Sequence, residues 1–256
     1  MWSLKRIQAP ALWRLGLTGE NVRVGVVGTG VDLTHPDFRN NPIRAFSILG
    51  GDVADVVGHE TGVVWVATRI APRIELYLAK DRLGKYGYMH HVIDACERLR
   101  QLGVQILNLS LATDFPTDGT DPISRETNYL VQNGIAVVAA AGDKGPGFQT
   151  IGAPGAADLP ITVGKTNERD QVCWDSSRGP TLDGRIKPDC VAPGSRIMAA
   201  SPIPLGKGSY QVLDCTSYAV PHVTGILAIL KQAYPEATTS DLKRAILVGC
   251  EPTKPS

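Results

Sequence analysis

The sequence lacks an excess of charge of either sign. Its 256 residues carry 26 Lys and Arg against 25 Asp and Glu, which gives a formal net charge of +1. No block of basic residues interrupts the chain, whereas proteins that bind nucleic acids need clustered positive charge to neutralise phosphates. The sequence therefore predicts no nucleic-acid partner.

Long apolar runs are also missing. The longest apolar stretches, 134–142 and 223–230, fall short of the roughly 18 residues that cross a bilayer. The N-terminal residues 1–6 lack the apolar core and the cleavage site of a signal peptide. We therefore expect a cytoplasmic protein without a membrane partner.

Cysteine is scarce and is not spaced as a metal ligand. The chain has five cysteines, an odd number, and none of them forms a C-x-x-C pair; they are Cys96, Cys173, Cys190, Cys215 and Cys250. This pattern argues against a zinc site and against a disulfide framework, and no acidic cluster has the spacing of a calcium loop. The sequence predicts no metal and no cofactor.

Short β-rich apolar runs alternate with segments of helical periodicity. The runs 22–27, 74–78, 106–109, 135–140 and 161–163 are typical of buried strands, and the segments 91–102, 128–132 and 219–233 are typical of helices. Strand and helix alternating at this spacing predict a single α/β domain with a mostly parallel sheet between helices. We expect this domain to span residues 1–250 and to end in a short polar tail, 251–256.

Chemically suggestive residues follow several of these runs, where function gathers in open parallel sheets. A dinucleotide-binding interpretation of the first loop, 28–32, is weak because the G-x-G-x-x-G spacing is absent. The other motifs are Gly58-His59-Glu60-Thr61-Gly62, Asn108-Leu109-Ser110-Leu111, Ala140-Ala141-Gly142-Asp143 and Thr216-Ser217-Tyr218-Ala219 at the head of the apolar helix.

Taken in order, these motifs closely resemble those of the subtilisin-like serine peptidases, the subtilases, over about residues 2–250. The resemblance implies a parallel sheet of about seven strands between helices. It also implies a catalytic triad of Asp after the first strand, His at a helix start and Ser at the head of a central helix, with an Asn in the oxyanion hole. His59 stands at the position of the base and Ser217 at that of the nucleophile.

Two of the four catalytic positions depart from the family. Gly28 stands where the family has the triad Asp, and Asp143 stands where it has the oxyanion Asn. In subtilisin, removing the triad Asp lowers turnover about 3 × 10⁴-fold, roughly 6 kcal/mol of barrier, and removing one oxyanion donor costs about 10²–10³-fold. An ionised Asp143 cannot donate a hydrogen bond.

Further differences surround these positions. Gly62 replaces the second His of the family's H-G-T-H motif, and Trp65, Cys215, Tyr218 and Val220 also depart from the family residues. Trp65 and Tyr218 could either fill the substrate cleft or pack in the core. Cys215 beside the nucleophile position suggests a cysteine nucleophile, but no second His is placed for it by motif.

Another acid could replace the side chain missing at Gly28. Asp55 and Glu60 lie close to His59 in the sequence, but neither lies on the first strand, and their spacing does not guarantee contact with the imidazole. On the family pattern we expect that Gly28→Asp would restore the orienting partner and that Asp143→Asn would restore an oxyanion donor.

The peptide-binding segments of the family are better preserved. The resemblance implies that an extended peptide adds as a strand along Leu109, Ser110, Leu111 and Ala112 on one side and Ala140, Ala141 and Gly142 on the other. The sequence therefore favours a pseudo-peptidase that binds an extended peptide or protein with little or no proteolysis. The alternatives are a slow hydrolase or acyl-transfer enzyme that uses Ser217 and His59, and a structural subunit of a complex.

Overall fold

The computed structural model describes residues 1–39, 41–206 and 208–254. Its centre is a sheet of seven parallel strands in the order β2-β3-β1-β4-β5-β6-β7. The strands are β1 (Arg23–Gly28), β2 (Ile43–Ser47), β3 (Glu75–Lys80), β4 (Ile106–Leu109), β5 (Ala136–Ala140), β6 (Ile161–Thr166) and β7 (Cys190–Pro193). A separate antiparallel hairpin joins β8 (Ile197–Ala200) to β9 (Tyr210–Leu213).

Helices cover both faces of the sheet. They are α1 (Trp2–Arg6), α2 (Ala9–Trp13), α3 (Glu60–Ile70), α4 (Met89–Gln101), α5 (Pro122–Gln132), α6 (Thr216–Ala233) and α7 (Thr239–Val248). No helix in the described ranges has the length and apolarity needed to cross a membrane.

Side chains that alternate between the two faces of the sheet form two separate hydrophobic clusters. On β1, Val24 and Val26 face the cluster that contains α3 and α6, whereas Val27 faces the cluster that contains α4 and α5. Because both faces of the strands are buried, their sequences are continuously apolar rather than alternating. This explains why five of the strands can be recognised as short apolar runs.

The predicted α/β fold with a parallel sheet of about seven strands is confirmed, with two strands that the apolar runs miss. These are the two edge strands, β2 and β7. No residue of β2 is fully buried, and β7 is half-buried at its start and ends in Pro193. The predicted tail is described only as far as Lys254, whose N–H donates to the carbonyl of Asp170; residues 255 and 256 lie outside the described ranges.

The strand order places the functional motifs at the carboxyl ends of the strands. The chain reverses its direction of winding between β1 and its neighbour β4, and such switch points form clefts at the carboxyl ends of the strands. Gly28 ends β1, His59 is the N-cap of α3 and Ser217 lies in the first turn of α6.

Candidate active site

Gly28 and Glu60 share one volume at the end of β1. A Cβ added to Gly28 would lie 2.0 Å from Cδ of Glu60 and 2.4 Å from its Cγ, which is closer than atoms can approach. The Glu60 side chain thus fills the space of any side chain at position 28. Gly28→Asp would bring in a second carboxylate only if Glu60 moved, and its effect on catalysis stays a prediction.

The Glu60 carboxylate contacts the His59 imidazole from this position. Oε2 of Glu60 lies 2.7 Å from Nδ1 of His59 and also accepts hydrogen bonds from the N–H and the hydroxyl of Thr29, at 3.1 and 3.2 Å. Glu60 is fully buried. Burial by itself would raise the pKa of the Glu60 carboxyl, but the charges of His59 and Arg82 and these hydrogen bonds lower it below its ordinary value. Glu60 therefore supplies an ionised carboxylate to the far nitrogen of the imidazole.

His59 is held in a state that favours the imidazolium. Burial alone would lower its pKa, yet the Glu60 charge and hydrogen bonds with Cys215 and Glu60 outweigh burial and raise the pKa well above the ordinary value for His. With Nδ1 directed at Glu60, the neutral imidazole carries its proton on Nδ1, so Nε2 is the nitrogen that accepts a proton. This is the tautomer that a general base requires.

Ser217 lies in the first turn of α6, between Cys215, which interacts with His59, and Tyr218, whose ring packs near that of His59. It is half-buried, and its carbonyl accepts a hydrogen bond from the Ser110 hydroxyl at 2.8 Å. Among the described contacts, none joins the Ser217 hydroxyl to His59, and none occupies the Ser217 N–H. Catalytic hydrogen bonds are often long before substrate binds, so the absence of this bond does not exclude Ser217 as the nucleophile.

Asp143 serves as a structural anchor for the start of α6. Its Oδ1 accepts the N–H of Thr216 at 2.9 Å, and its Oδ2 accepts the Thr216 hydroxyl at 3.0 Å. Nζ of Lys165 lies 3.2 Å from Oδ1 of Asp143 and also contacts the carboxylates of Asp175 and Asp214, at 2.8 and 2.7 Å. Both carboxylate oxygens of Asp143 thus accept hydrogen bonds from Thr216, where the family has an Asn that donates to the oxyanion.

Asp55, the other acid considered for the triad, has a different role. It is buried, and its two oxygens accept hydrogen bonds from Thr29, Val57, Gly58 and Thr61, at 2.8 to 3.1 Å. These bonds fix the turn before α3 and tie it to the loop after β1. Asp55 therefore positions His59 and Glu60 through the backbone, and none of these hydrogen bonds involves the imidazole.

The altered aromatic residues pack in the core. Trp65 is buried and donates its indole N–H to Asp37 at 2.6 Å. Tyr218 is buried too, and its ring centroid lies 5.6 Å from that of His59. A Cβ added to Gly62 would lie 3.0 Å from Cε1 of Tyr218, so Gly62 leaves room for this ring.

The proposed peptide-binding segments flank this site. Leu109 is paired with β5, whereas the N–H and C=O groups of Leu111 and Ala112 have no hydrogen-bond partner within the described part of the chain. On the other side Ala140, Ala141 and Gly142 are buried, and Gly142 takes a positive φ of 101° directly before Asp143. The unpaired backbone at Leu111 and Ala112 offers donors and acceptors to an extended chain.

The sequence alone leaves the role of Glu60 open, although two differences from the family together indicate it. Where the family has Asp, this chain has Gly28, and where H-G-T-H has its Gly, this chain has Glu60. Each difference alone suggests a loss of catalytic function. Together they mean that the chain lacks a carboxylate at the end of β1 and has an additional one at the start of α3.

Comparison with known proteins agrees with this architecture. The model of the subtilase family, Peptidase S8, matches residues 19–249. Subtilisin E of Bacillus subtilis (strain 168) is 31% identical over 257 residues, covering 94% of this chain and 64% of its own length. Subtilisin of Bacillus pumilus is 31% identical over 94% of this chain and 88% of its own length. The chain thus spans less than two thirds of the full length of some of its relatives and most of the length of others.

Two solved structures share the fold. One, the prenylagaramide maturation protease PagA, superposes with a TM-score of 0.80 at 21% identity and covers 96% of this chain and 89% of that one. The other, a cold-adapted subtilisin-like serine proteinase, gives a TM-score of 0.74 at 23% identity over 90% of this chain and 82% of that one. The family match over residues 19–249 and the 31% identity to the two subtilisins show that the chain belongs to the subtilase family of peptidases.

Proposed function

We propose that this chain is a serine peptidase whose triad is Ser217, His59 and Glu60. The observation that carries the proposal is the 2.7 Å contact between the Glu60 carboxylate and Nδ1 of His59, made from the volume that a side chain at Gly28 would fill. A triad carboxylate must orient the imidazole and stabilise the imidazolium. Glu60 is placed to do both.

The chemistry follows from this arrangement. The Ser217 hydroxyl attacks the peptide carbonyl while Nε2 of His59 takes its proton, and Glu60 stabilises the positive charge that forms on the ring. His59 then protonates the leaving amine, and water releases the acyl group from Ser217 by the reverse sequence of proton transfers. The free N–H of Ser217, in the first turn of α6, donates to the oxyanion.

This enzyme works slowly because its oxyanion hole has lost a donor. Asp143 accepts hydrogen bonds where the family has a donating Asn. The absence of one such donor costs about 10²–10³-fold in turnover. We therefore place its rate well below that of ordinary subtilases.

The substrate we propose is an extended polypeptide. Leu111 and Ala112 present unpaired backbone groups, and a peptide that adds there as a strand runs past the nucleophile. The five cysteines are free thiols, which supports the further proposal that the protein works in the reducing cytoplasm.

A second candidate function is a pseudo-peptidase that binds a peptide or protein partner without cleaving it. Two observations favour it: Asp143 accepts rather than donates, and no hydrogen bond among the described residues joins Ser217 to His59. In this alternative the chain keeps its peptide-binding segments but does not hydrolyse the bound peptide.

Hydrolysis of a peptide anilide by four matched proteins tests the proposal. We expect slow but measurable hydrolysis by the wild type, none by Ser217→Ala or Glu60→Ala above background, and retained hydrolysis by Cys215→Ala. Wild-type rates equal to those of Ser217→Ala, with measurable peptide binding, would establish the second candidate instead. Activity that survives Ser217→Ala but not Cys215→Ala would make the thiol the nucleophile.

A further inference from the structure

The two segments proposed to bind the peptide come together directly beside the nucleophile. In one of them the Ser110 hydroxyl donates to the carbonyl of Ser217 at 2.8 Å. Asp143, which directly follows the other segment, accepts the N–H of Thr216, the neighbour of Ser217, at 2.9 Å. The gap between the two segments therefore opens beside Ser217.

This gap is too narrow to admit a side chain. A Cβ added to Gly142 would lie 3.5 Å from Cβ of Ala112. One further bond of about 1.5 Å places Cα of Gly142 within about 5 Å of that methyl carbon. A carbon atom between two others needs about 3.5–4.0 Å on each side. The methyl group of Ala112 thus fills the space that a glycine at position 112 would leave open.

Hydrogen bonds hold both walls of the gap in place. On one side the carbonyl of Gly142 accepts the N–H of Ser177 at 2.8 Å. On the other side the N–H of Thr113 donates to the carbonyl of Ala153 at 2.9 Å, and the N–H of Ala153 donates to the Thr113 hydroxyl oxygen at 2.9 Å. The walls therefore cannot separate without breaking these backbone hydrogen bonds.

An ion pair connects the continuations of the two segments. Nζ of Lys144 lies 2.9 Å from Oδ1 of Asp114, and both side chains are about half-exposed. The pair is an independent sign that the segments lie close together. Because an exposed ion pair contributes little free energy, we assign the narrowness of the gap to Ala112 rather than to these charges.

An extended substrate directs one side chain towards this gap. A peptide that adds as a strand along Leu111 and Ala112 presents the carbonyl under attack to Ser217. Successive side chains of a strand point in opposite directions. Because the gap opens beside Ser217, the side chain that meets it belongs to the residue that carries this carbonyl, and the side chains of its two neighbours point away.

We propose that Ala112 and Gly142 restrict cleavage to substrates whose residue before the cleaved bond is no larger than alanine. A methyl group ends at the mouth of the gap, whereas a longer side chain has to displace Ala112. This restriction rests on the proposed peptidase function and names its substrates, which are extended polypeptides with glycine or alanine at that position.

A panel of succinyl-Ala-Ala-Pro-X anilides tests the restriction, with alanine, leucine or phenylalanine at X. For the wild type we expect kcat/KM to be at least about tenfold higher with alanine than with the other two, the lower end of what overpacking costs. Ala112→Gly should raise the ratio of the phenylalanine value to the alanine value by at least about tenfold. Ala237→Gly, the same change between α6 and α7, should leave this ratio unchanged. Wild-type hydrolysis that depends on Ser217 and is as fast with phenylalanine as with alanine would overturn the proposal, whether or not the variants fold.

Binding to Ser217→Ala distinguishes failure of the restriction from failure of the peptidase function. If the wild type hydrolyses none of the anilides, the peptidase function fails, and fluorescence titration of Ser217→Ala with the same compounds decides the restriction. We expect the alanine compound to bind at least about tenfold more tightly than the phenylalanine compound. Equal affinities, tighter binding of the phenylalanine compound or binding of neither would overturn the restriction.

Discussion

Removing the proposed triad carboxylate at position 60 should abolish hydrolysis, and placing a carboxylate at position 28 of the same variant should restore part of it. Glu60→Ala removes a buried carboxylate that contacts Nδ1 of His59 at 2.7 Å. Loss of this orienting group costs about 10⁴-fold in turnover, or about 5 kcal/mol of barrier. Gly28→Asp alone should also inactivate the enzyme, because its Cβ would lie 2.0 Å from Cδ of Glu60.

The double variant Gly28→Asp/Glu60→Ala removes this collision and returns the carboxylate to the end of β1. We expect it to hydrolyse a peptide anilide at least tenfold faster than either single variant, since one carboxylate again faces His59. Thermal unfolding supplies the structural control: Gly28→Asp should lose about 1–3 kcal/mol through overpacking, and the double variant should regain most of it.

If Glu60→Ala turned over substrate as fast as the wild type, the reasoning would be refuted, because the carboxylate would then be dispensable. The same holds if the double variant is folded but no faster than Gly28→Asp. Asp55→Asn is a matched comparison, since it alters a buried carboxylate that fixes the same turn without contacting the imidazole.

Three further predictions concern the same cleft. Because Glu60 and Cys215 raise the pKa of His59, kcat/KM should rise with pH through an inflection above 6.5, and Glu60→Gln should move that inflection downward; an unchanged profile would separate Glu60 from the base. Asp143→Asn should raise turnover of the folded protein about tenfold or more by adding an oxyanion donor, while loss of the ion pair with Lys165 should lower its thermal stability; a fall in turnover of folded protein would assign Asp143 a catalytic role. Leu111→Pro removes an unpaired N–H and should weaken peptide binding in a fluorescence titration by about tenfold, whereas equal affinity would place the peptide elsewhere.

Much of this fold can be predicted from short apolar runs. Residues 106–109 form β4 with the predicted bounds, and the run at 22–27 corresponds to β1 with a shift of one residue. The edge strand β2 escapes prediction because none of its residues is fully buried. Helix α7 carried a recognisable start, since Thr238 and Asp241 form a capping box.

The site is harder to predict because a motif fixes positions along the chain and leaves their surroundings open. The nucleophile and base positions, Ser217 and His59, follow from the family motifs. The carboxylate does not, because Glu60 reaches Nδ1 from the space that the missing side chain of Gly28 leaves at the end of β1. Folding brings Gly28 and Glu60 together, so the sequence by itself does not show that Glu60 occupies the place of the side chain that Gly28 lacks.

The most direct test of the account is a fluorophosphonate probe, which bonds covalently to an activated serine. Wild-type protein is incubated with the probe and digested, and the modified residue is located by mass spectrometry, with Ser217→Ala and Glu60→Ala treated in parallel. The account predicts an adduct on Ser217 in the wild type, no adduct in Ser217→Ala and much slower labelling in Glu60→Ala. No labelling of folded wild-type protein, or equal labelling with and without Glu60, would contradict it.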